Sequence, residues 1–102
     1  MNRFESSRSL LQVAPNAEAV NAIMRDHVAS LGPLVEVLPE NCRAMLSRDF
    51  DVHEVAVTLL RAESRFDGSD EAREFLHDLA HTFASAAVRL TFLHERPRAS
   101  GT

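Results

Sequence analysis

Apolar residues recur every three or four positions along most of this chain, which is the period of an α-helix. One such segment runs from about Ala17 to Leu31, and its apolar face consists of Val20, Ile23, Met24, Val28 and Leu31. Asn16 is placed to cap the start of this segment through its side-chain oxygen, and Gly32-Pro33 is typical of a helix end. The pattern therefore predicts an amphipathic helix that ends at Leu31.

Two shorter helices are predicted in the middle of the chain. Helical spacing continues across Pro39 through Leu34, Leu38, Cys42, Met45 and Leu46. Because proline lacks the N–H that an interior turn needs, we expect a turn, a break and a helix from about Pro39 to Arg48. Asp51 and Glu54 then form a variant of the capping box, which opens a helix that ends near Phe66.

The last predicted helix is long and runs from Asp70 to about Glu95. Either Ser69 or Asp70 is expected to cap it. Its first turn is acidic and its end is basic, which suits the helix dipole, and Pro97 stops it. The side facing the core is predicted to carry Phe75, Leu76, Leu79, Phe83, Ala86 and Leu90.

These segments predict an all-α fold, a small antiparallel bundle of about four helices with a long C-terminal helix. Residues 1–15 are expected to form an N-terminal arm or a short helix, residues 16–96 the helical bundle domain, and residues 97–102 a disordered tail. Sustained alternation of apolar and polar residues, which would indicate strands, is missing from the sequence.

The amino-acid composition disfavours several classes of function. The 15 acidic residues outnumber the 11 basic ones, all of them arginine, and the formal charge is −4, so nucleic-acid binding is disfavoured. A single cysteine cannot form an internal disulfide, and neither a signal peptide nor an apolar run of about 20 residues is visible. We expect a cytoplasmic protein that does not bind membranes, and the lack of lysine favours a GC-rich bacterial source.

A polar cluster on the last helix offers a candidate metal site. Glu74, His77, Asp78 and His81 lie within about two helical turns, with His77 and His81 one turn apart, and Glu-x-x-His is a spacing found in helix-borne metal centres. On a helical wheel Glu74, His77 and His81 point away from the core, so a solvated polar face is the alternative. No cofactor is expected on the leading interpretation.

Two ionisable residues fall on apolar helix faces. His27 lies between Ile23 and Leu31, and Glu63 lies on the side of its helix that carries Leu59. A buried imidazole and a buried carboxylate each need a partner, so one hypothesis pairs His27 with Glu63. The alternative places both at the rim of the core, with their polar ends in water.

Glu63 also belongs to a segment, residues 60–67, that resembles the catalytic segment of soluble lytic transglycosylases. That resemblance implies that Glu63 would be a general acid. The downstream Gly-Leu-Met-Gln-type segment of the family is missing, and Asp67-Gly68-Ser69-Asp70 opens a new helix instead. The short match therefore does not assign an activity.

The outward face of the last helix becomes apolar toward its end, where Val88 and Phe92 follow Ala84. Either the N-terminal segment covers them, through residues such as Phe4 and Leu10, or another molecule does. A second copy could form a two-fold interface through Ala84, Val88 and Phe92.

The sequence thus predicts a non-enzymatic protein–protein interaction module, a small bacterial adaptor, chaperone or regulator. It is expected to form a homodimer through the last helix and to bind a protein partner that the sequence does not identify. A metal-binding helical protein that uses the His-x3-His pair is the alternative.

Overall fold

A computed structural model describes residues 3–95 of the chain, and the side chains of residues 7–94. This range contains helices and no strand, as predicted. The helices are α1 (Arg3–Val13), α2 (Ala17–Leu31), a 3₁₀ segment (Gly32–Val37), α3 (Glu40–Leu46), α4 (Val52–Arg65) and α5 (Asp70–Glu95). The long C-terminal helix is confirmed, and the predicted tail, residues 97–102, lies outside the described residues.

The predicted helix starts carry the expected caps. The Asn16 carboxamide oxygen accepts a hydrogen bond from the N–H of Ala19 at 2.8 Å. The Asp51 carboxylate accepts one from the N–H of Glu54 at 3.0 Å. Both contacts satisfy N–H groups that have no partner within their own helix, and so they determine where α2 and α4 begin.

The segment between α2 and α4 is more helical than predicted. Residues 32–37 form a 3₁₀ segment instead of a simple turn, and α3 ends at Leu46, two residues before the predicted end. Gly32 has φ +54°, a backbone conformation that favours glycine and ends α2. Pro39 precedes α3, and its carbonyl oxygen accepts hydrogen bonds from the N–H groups of Cys42 and Arg43.

Residues 3–13, which the sequence left open between an arm and a helix, form α1. This helix packs against both α2 and α5. Leu11 and Ala14 are buried where the end of α1 meets the rest of the molecule. The N-terminal segment therefore contributes to the same core as the other helices.

The core is organised around one face of α5, which holds five fully buried apolar residues: Leu76, Leu79, Ala80, Phe83 and Ala86. α4, α1 and α2 all pack against α5. The Phe50 ring meets the Phe83 ring edge-on, with centroids 5.6 Å apart. Within residues 3–95, no helix combines the length and apolar character that crossing a membrane requires.

Two hydrogen bonds establish the relative direction of α4 and α5. His53, near the start of α4, lies 3.3 Å from the Thr91 hydroxyl near the end of α5. Glu63, near the end of α4, contacts His77 in the first half of α5. The two helices therefore run antiparallel.

We predict that Leu79→Ala lowers the free energy of unfolding by about 2–5 kcal/mol, because it leaves a cavity in the core. Leu60→Ala is a matched control, since Leu60 also lies in a helix but is exposed. That change is expected to cost less than about 1 kcal/mol. Urea denaturation followed by circular dichroism measures both, and equal losses would contradict a core centred on α5.

Candidate functional site

A groove of about 500 Å³ lies between α1 and the C-terminal half of α5. Its walls combine apolar and polar side chains: Arg8, Leu11, Gln12, His81, Ala84, Ser85, Val88, Arg89 and Phe92. The three residues that the sequence assigned to an interface, Ala84, Val88 and Phe92, all line it. The groove opens to solvent along the outward face of α5.

Val88 and Phe92 remain exposed although α1 packs beside them. Val88 is 68% exposed and Phe92 is 51% exposed, so the outward face of α5 presents two large apolar side chains to solvent. Leu10, which the sequence offered as a cover, is itself 53% exposed. The N-terminal helix lies beside these residues, but Leu11 and not Leu10 lines the groove with them. The Phe4 side chain lies outside the described residues.

Arg89 links the end of α1 to this surface. Its Nε and Nη2 both donate to the carbonyl oxygen of Ala14, at 3.1 and 2.7 Å. Its guanidinium carbon lies 5.1 Å from the centre of the Phe92 ring, a cation–π contact. Arg89 therefore holds Phe92 at the groove edge. The sequence places Arg89 only in the basic end of the last helix, because no local pattern reveals a partner 75 residues away.

A second cluster lies closer to the start of α5, across from the end of α4. His77 Nδ1 is 2.5 Å from a carboxylate oxygen of Glu63. The His77 and His81 rings are stacked at a tilt, with centroids 4.1 Å apart. One ligand atom from each of Glu63, His77 and His81 lies within 4.8 Å of the others.

This cluster corrects the metal site expected from sequence. Two of its predicted members, His77 and His81, do come together, but the carboxylate that joins them is Glu63 from α4. Glu74 and Asp78 do not belong to the group, because their positions on α5 direct them to a shallow surface depression with Phe75. The apolar neighbours of Glu63 in the sequence were the available signal that it faces another helix.

The proposed pair of His27 and Glu63 is wrong. His27 is buried, as its position on the apolar face predicted, but its Nδ1 lies 2.6 Å from the hydroxyl of Ser7 in α1. Glu63 meets His77 instead. The helical wheel located each side chain on an inward face, while the packing of α1 on α2 decided the actual partner of His27.

Cys42 is buried in the core beside α4. Burial disfavours the charged thiolate and so raises the pKa of the Cys42 thiol above its ordinary value. A protonated thiol is a weak nucleophile at neutral pH. Cys42 therefore acts as a small core residue.

We predict that Ser7→Ala lowers the free energy of unfolding by about 1–2 kcal/mol, since it removes the hydrogen bond to buried His27. Ser9→Ala is a control in the same helix, because Ser9 is exposed, and it should change stability by less than about 0.5 kcal/mol. Chemical denaturation of both variants measures the difference. A similar effect of the two changes would mean that the contact between Ser7 and His27 does not contribute to stability.

We also predict that Cys42 reacts slowly with a thiol-specific reagent in the native protein at pH 8. In denaturing urea the rate should approach that of a free cysteine peptide, because the thiol regains solvent and its ordinary pKa. Absorbance at the wavelength of the released chromophore follows the reaction. Rapid modification of the native protein would contradict the burial of Cys42.

No family model, curated protein or solved structure matches this chain. Its function must be inferred from the geometry of its own side chains.

Proposed function

We propose that this protein is a non-enzymatic interaction module that forms a homodimer through the outward face of α5. The observation that carries the proposal is the exposure of Val88 and Phe92 beside the groove between α1 and α5. We call this surface, made of Ala84, Val88 and Phe92, the apolar strip. With such a surface the protein would serve as an adaptor, a chaperone or a regulator, which acts by binding and not by catalysis.

The free energy for association comes from the two large side chains. Residues four apart lie on the same face of a helix, so Val88 and Phe92 form a continuous ridge. Full burial of a valine or phenylalanine side chain contributes about 1.5–3 kcal/mol relative to exposure. Because both residues are exposed by half or more within the single chain, most of that contribution is still available to a partner.

The spacing of large and small residues favours a second copy as the partner. Ala84 and Phe92 lie four residues before and after Val88. If two copies of α5 cross antiparallel with the two-fold axis at Val88, each Phe92 faces the Ala84 of the other copy. A large side chain then meets a small one twice, which is the self-complementarity that a two-fold interface requires.

The polar residues around the apolar strip suit the edge of an interface. The Arg89 guanidinium is held on the Ala14 carbonyl oxygen, and Arg8 and Gln12 line the α1 side of the groove. Interfaces commonly have an apolar centre and a polar rim that stays in contact with water. This arrangement keeps positive charge at the periphery, where it costs little desolvation.

The proposal also covers the topology of the bundle, the source of the protein and its location. We propose an antiparallel bundle of about four helices, which the antiparallel contact of α4 with α5 supports. We propose a bacterial source because the chain contains no lysine, and a cytoplasmic location because its one cysteine has no partner in the chain. The buried, protonated Cys42 thiol supports a non-enzymatic role, since it is a poor nucleophile.

Val88→Asp tests the proposal, because a carboxylate cannot be buried at a two-fold axis against its own copy. Multi-angle light scattering should give about twice the chain mass of 11.3 kDa for the wild-type protein. The variant should give the mass of a single chain. Circular dichroism checks that it stays helical.

Val57→Asp is the matched control, since Val57 is an exposed valine in the middle of α4. It should leave the dimer mass unchanged. The proposal fails if the wild-type protein is monomeric at every concentration tested. It also fails if Val88→Asp keeps the dimer mass or if both variants dissociate alike.

A further inference from the structure

We propose that Glu63, His77 and His81 form a binding site for a divalent transition metal ion, with Zn²⁺ as the best fit. The site is distinct from the apolar strip and does not depend on the proposed homodimer. It joins the end of α4 to the first half of α5. Its carboxylate ligand is Glu63, whereas the spacing in the sequence pointed to Glu74 and Asp78.

The three ligand atoms are already gathered. His77 and His81 are four residues apart on one helix, so their imidazoles project from the same face. Glu63 reaches them from the antiparallel helix, and one donor atom of each residue lies within 4.8 Å of the others. Zinc bonds of about 2.0–2.2 Å bring tetrahedral ligands to roughly 3.4 Å from one another, so small side-chain rotations close the site.

Core packing behind the cluster reduces the conformational entropy that is lost when its three side chains become ordered around an ion. α4 is held on α5 by buried residues close to the ligands, including Leu59 on α4 and Leu79 and Ala80 on α5. The Glu63 side chain is only 24% exposed, whereas His77 is 50% exposed. The carboxylate is therefore mostly covered by protein. The imidazoles of His77 and His81 are exposed, so an ion can reach the site from solvent.

The described hydrogen bond between Glu63 and His77 joins two members of the cluster to each other. A metal ion bound by both residues would replace that direct contact. Arg73 lies one turn before His77, but its guanidinium donates to the Phe66 carbonyl oxygen at 2.5 Å. Arg73 therefore does not compete with the imidazoles for the Glu63 carboxylate.

The ligand types favour zinc over hard cations. Imidazole nitrogens suit zinc, copper and nickel, whereas magnesium and calcium prefer oxygen ligands. Two imidazoles and one carboxylate provide three of the four ligands of a tetrahedral zinc ion, and the remaining position accepts water or another donor. His81 also lines the groove beside α1.

Zinc titration of tag-free protein, in competition with a chromophoric chelator, tests the site. We expect one zinc ion per chain. Glu63→Gln, His77→Ala and His81→Ala should each weaken binding by about tenfold or more, because each removes one of three ligands. Circular dichroism of each variant verifies its helical content, and the visible spectrum of bound Co²⁺ gives an independent reading of ligand loss.

Two controls separate this site from adventitious binding elsewhere on the surface. Glu74→Gln should leave zinc affinity unchanged, as should a double variant that removes His53 and His94, the two exposed histidines outside the cluster. Wild-type affinity in Glu63→Gln would overturn the proposal, and so would equal losses in Glu74→Gln. Binding that disappears only in the double variant would overturn it too, because the ion would then sit on those two histidines. Val88→Asp should bind zinc normally, which keeps this outcome separate from that of the dimer.

Discussion

The structure depends on the complete burial of one face of α5. Leu76, Leu79 and Phe83 on that face have no solvent exposure, and α4, α2 and α1 all pack against this helix. A helix of 26 residues is about 39 Å long, and α5 contacts α1, α2 and α4 along this length. Because one face of α5 is buried, the opposite face is presented to solvent over most of its length.

Both proposed sites use the solvent-facing side of α5, one in each half of the helix. Polar residues in its first half, His77 and His81, meet Glu63 where α4 ends, and apolar residues in its second half, Val88 and Phe92, border the groove with α1. His81 lies at the junction of the two sites, because it contributes to the cluster and also lines the groove.

Local sequence signals predicted much of the fold. The caps at Asn16 and Asp51, the end at Gly32 and the length of α5 depend on residues within a few positions, so they could be found without tertiary information. The 3₁₀ segment was missed because Pro33 and Pro39 suggested only a turn and a break. The status of residues 3–13 was left open because their apolar pattern is short.

Contacts between distant residues were the part that sequence reasoning could not supply. A helical wheel placed His27 and Glu63 on inward faces, but it gives no information about which helix lies opposite. Ser7 became the neighbour of His27 through the packing of α1 on α2, and His77 became the neighbour of Glu63 through the antiparallel pairing of α4 and α5. The exposed apolar strip was predictable, since it depends only on the periodicity of α5.

A two-fold contact at Val88 can be tested by measuring a distance between copies with pulsed dipolar electron paramagnetic resonance. A spin label at His94→Cys, in a Cys42→Ala background, lies six residues from Val88, or about 9 Å along the helix. The two-fold contact predicts a defined inter-label distance, and adding Val88→Asp to the same labelled protein should abolish the dipolar signal. A missing signal in the labelled protein that retains Val88, or a signal that Val88→Asp leaves unchanged, would contradict it.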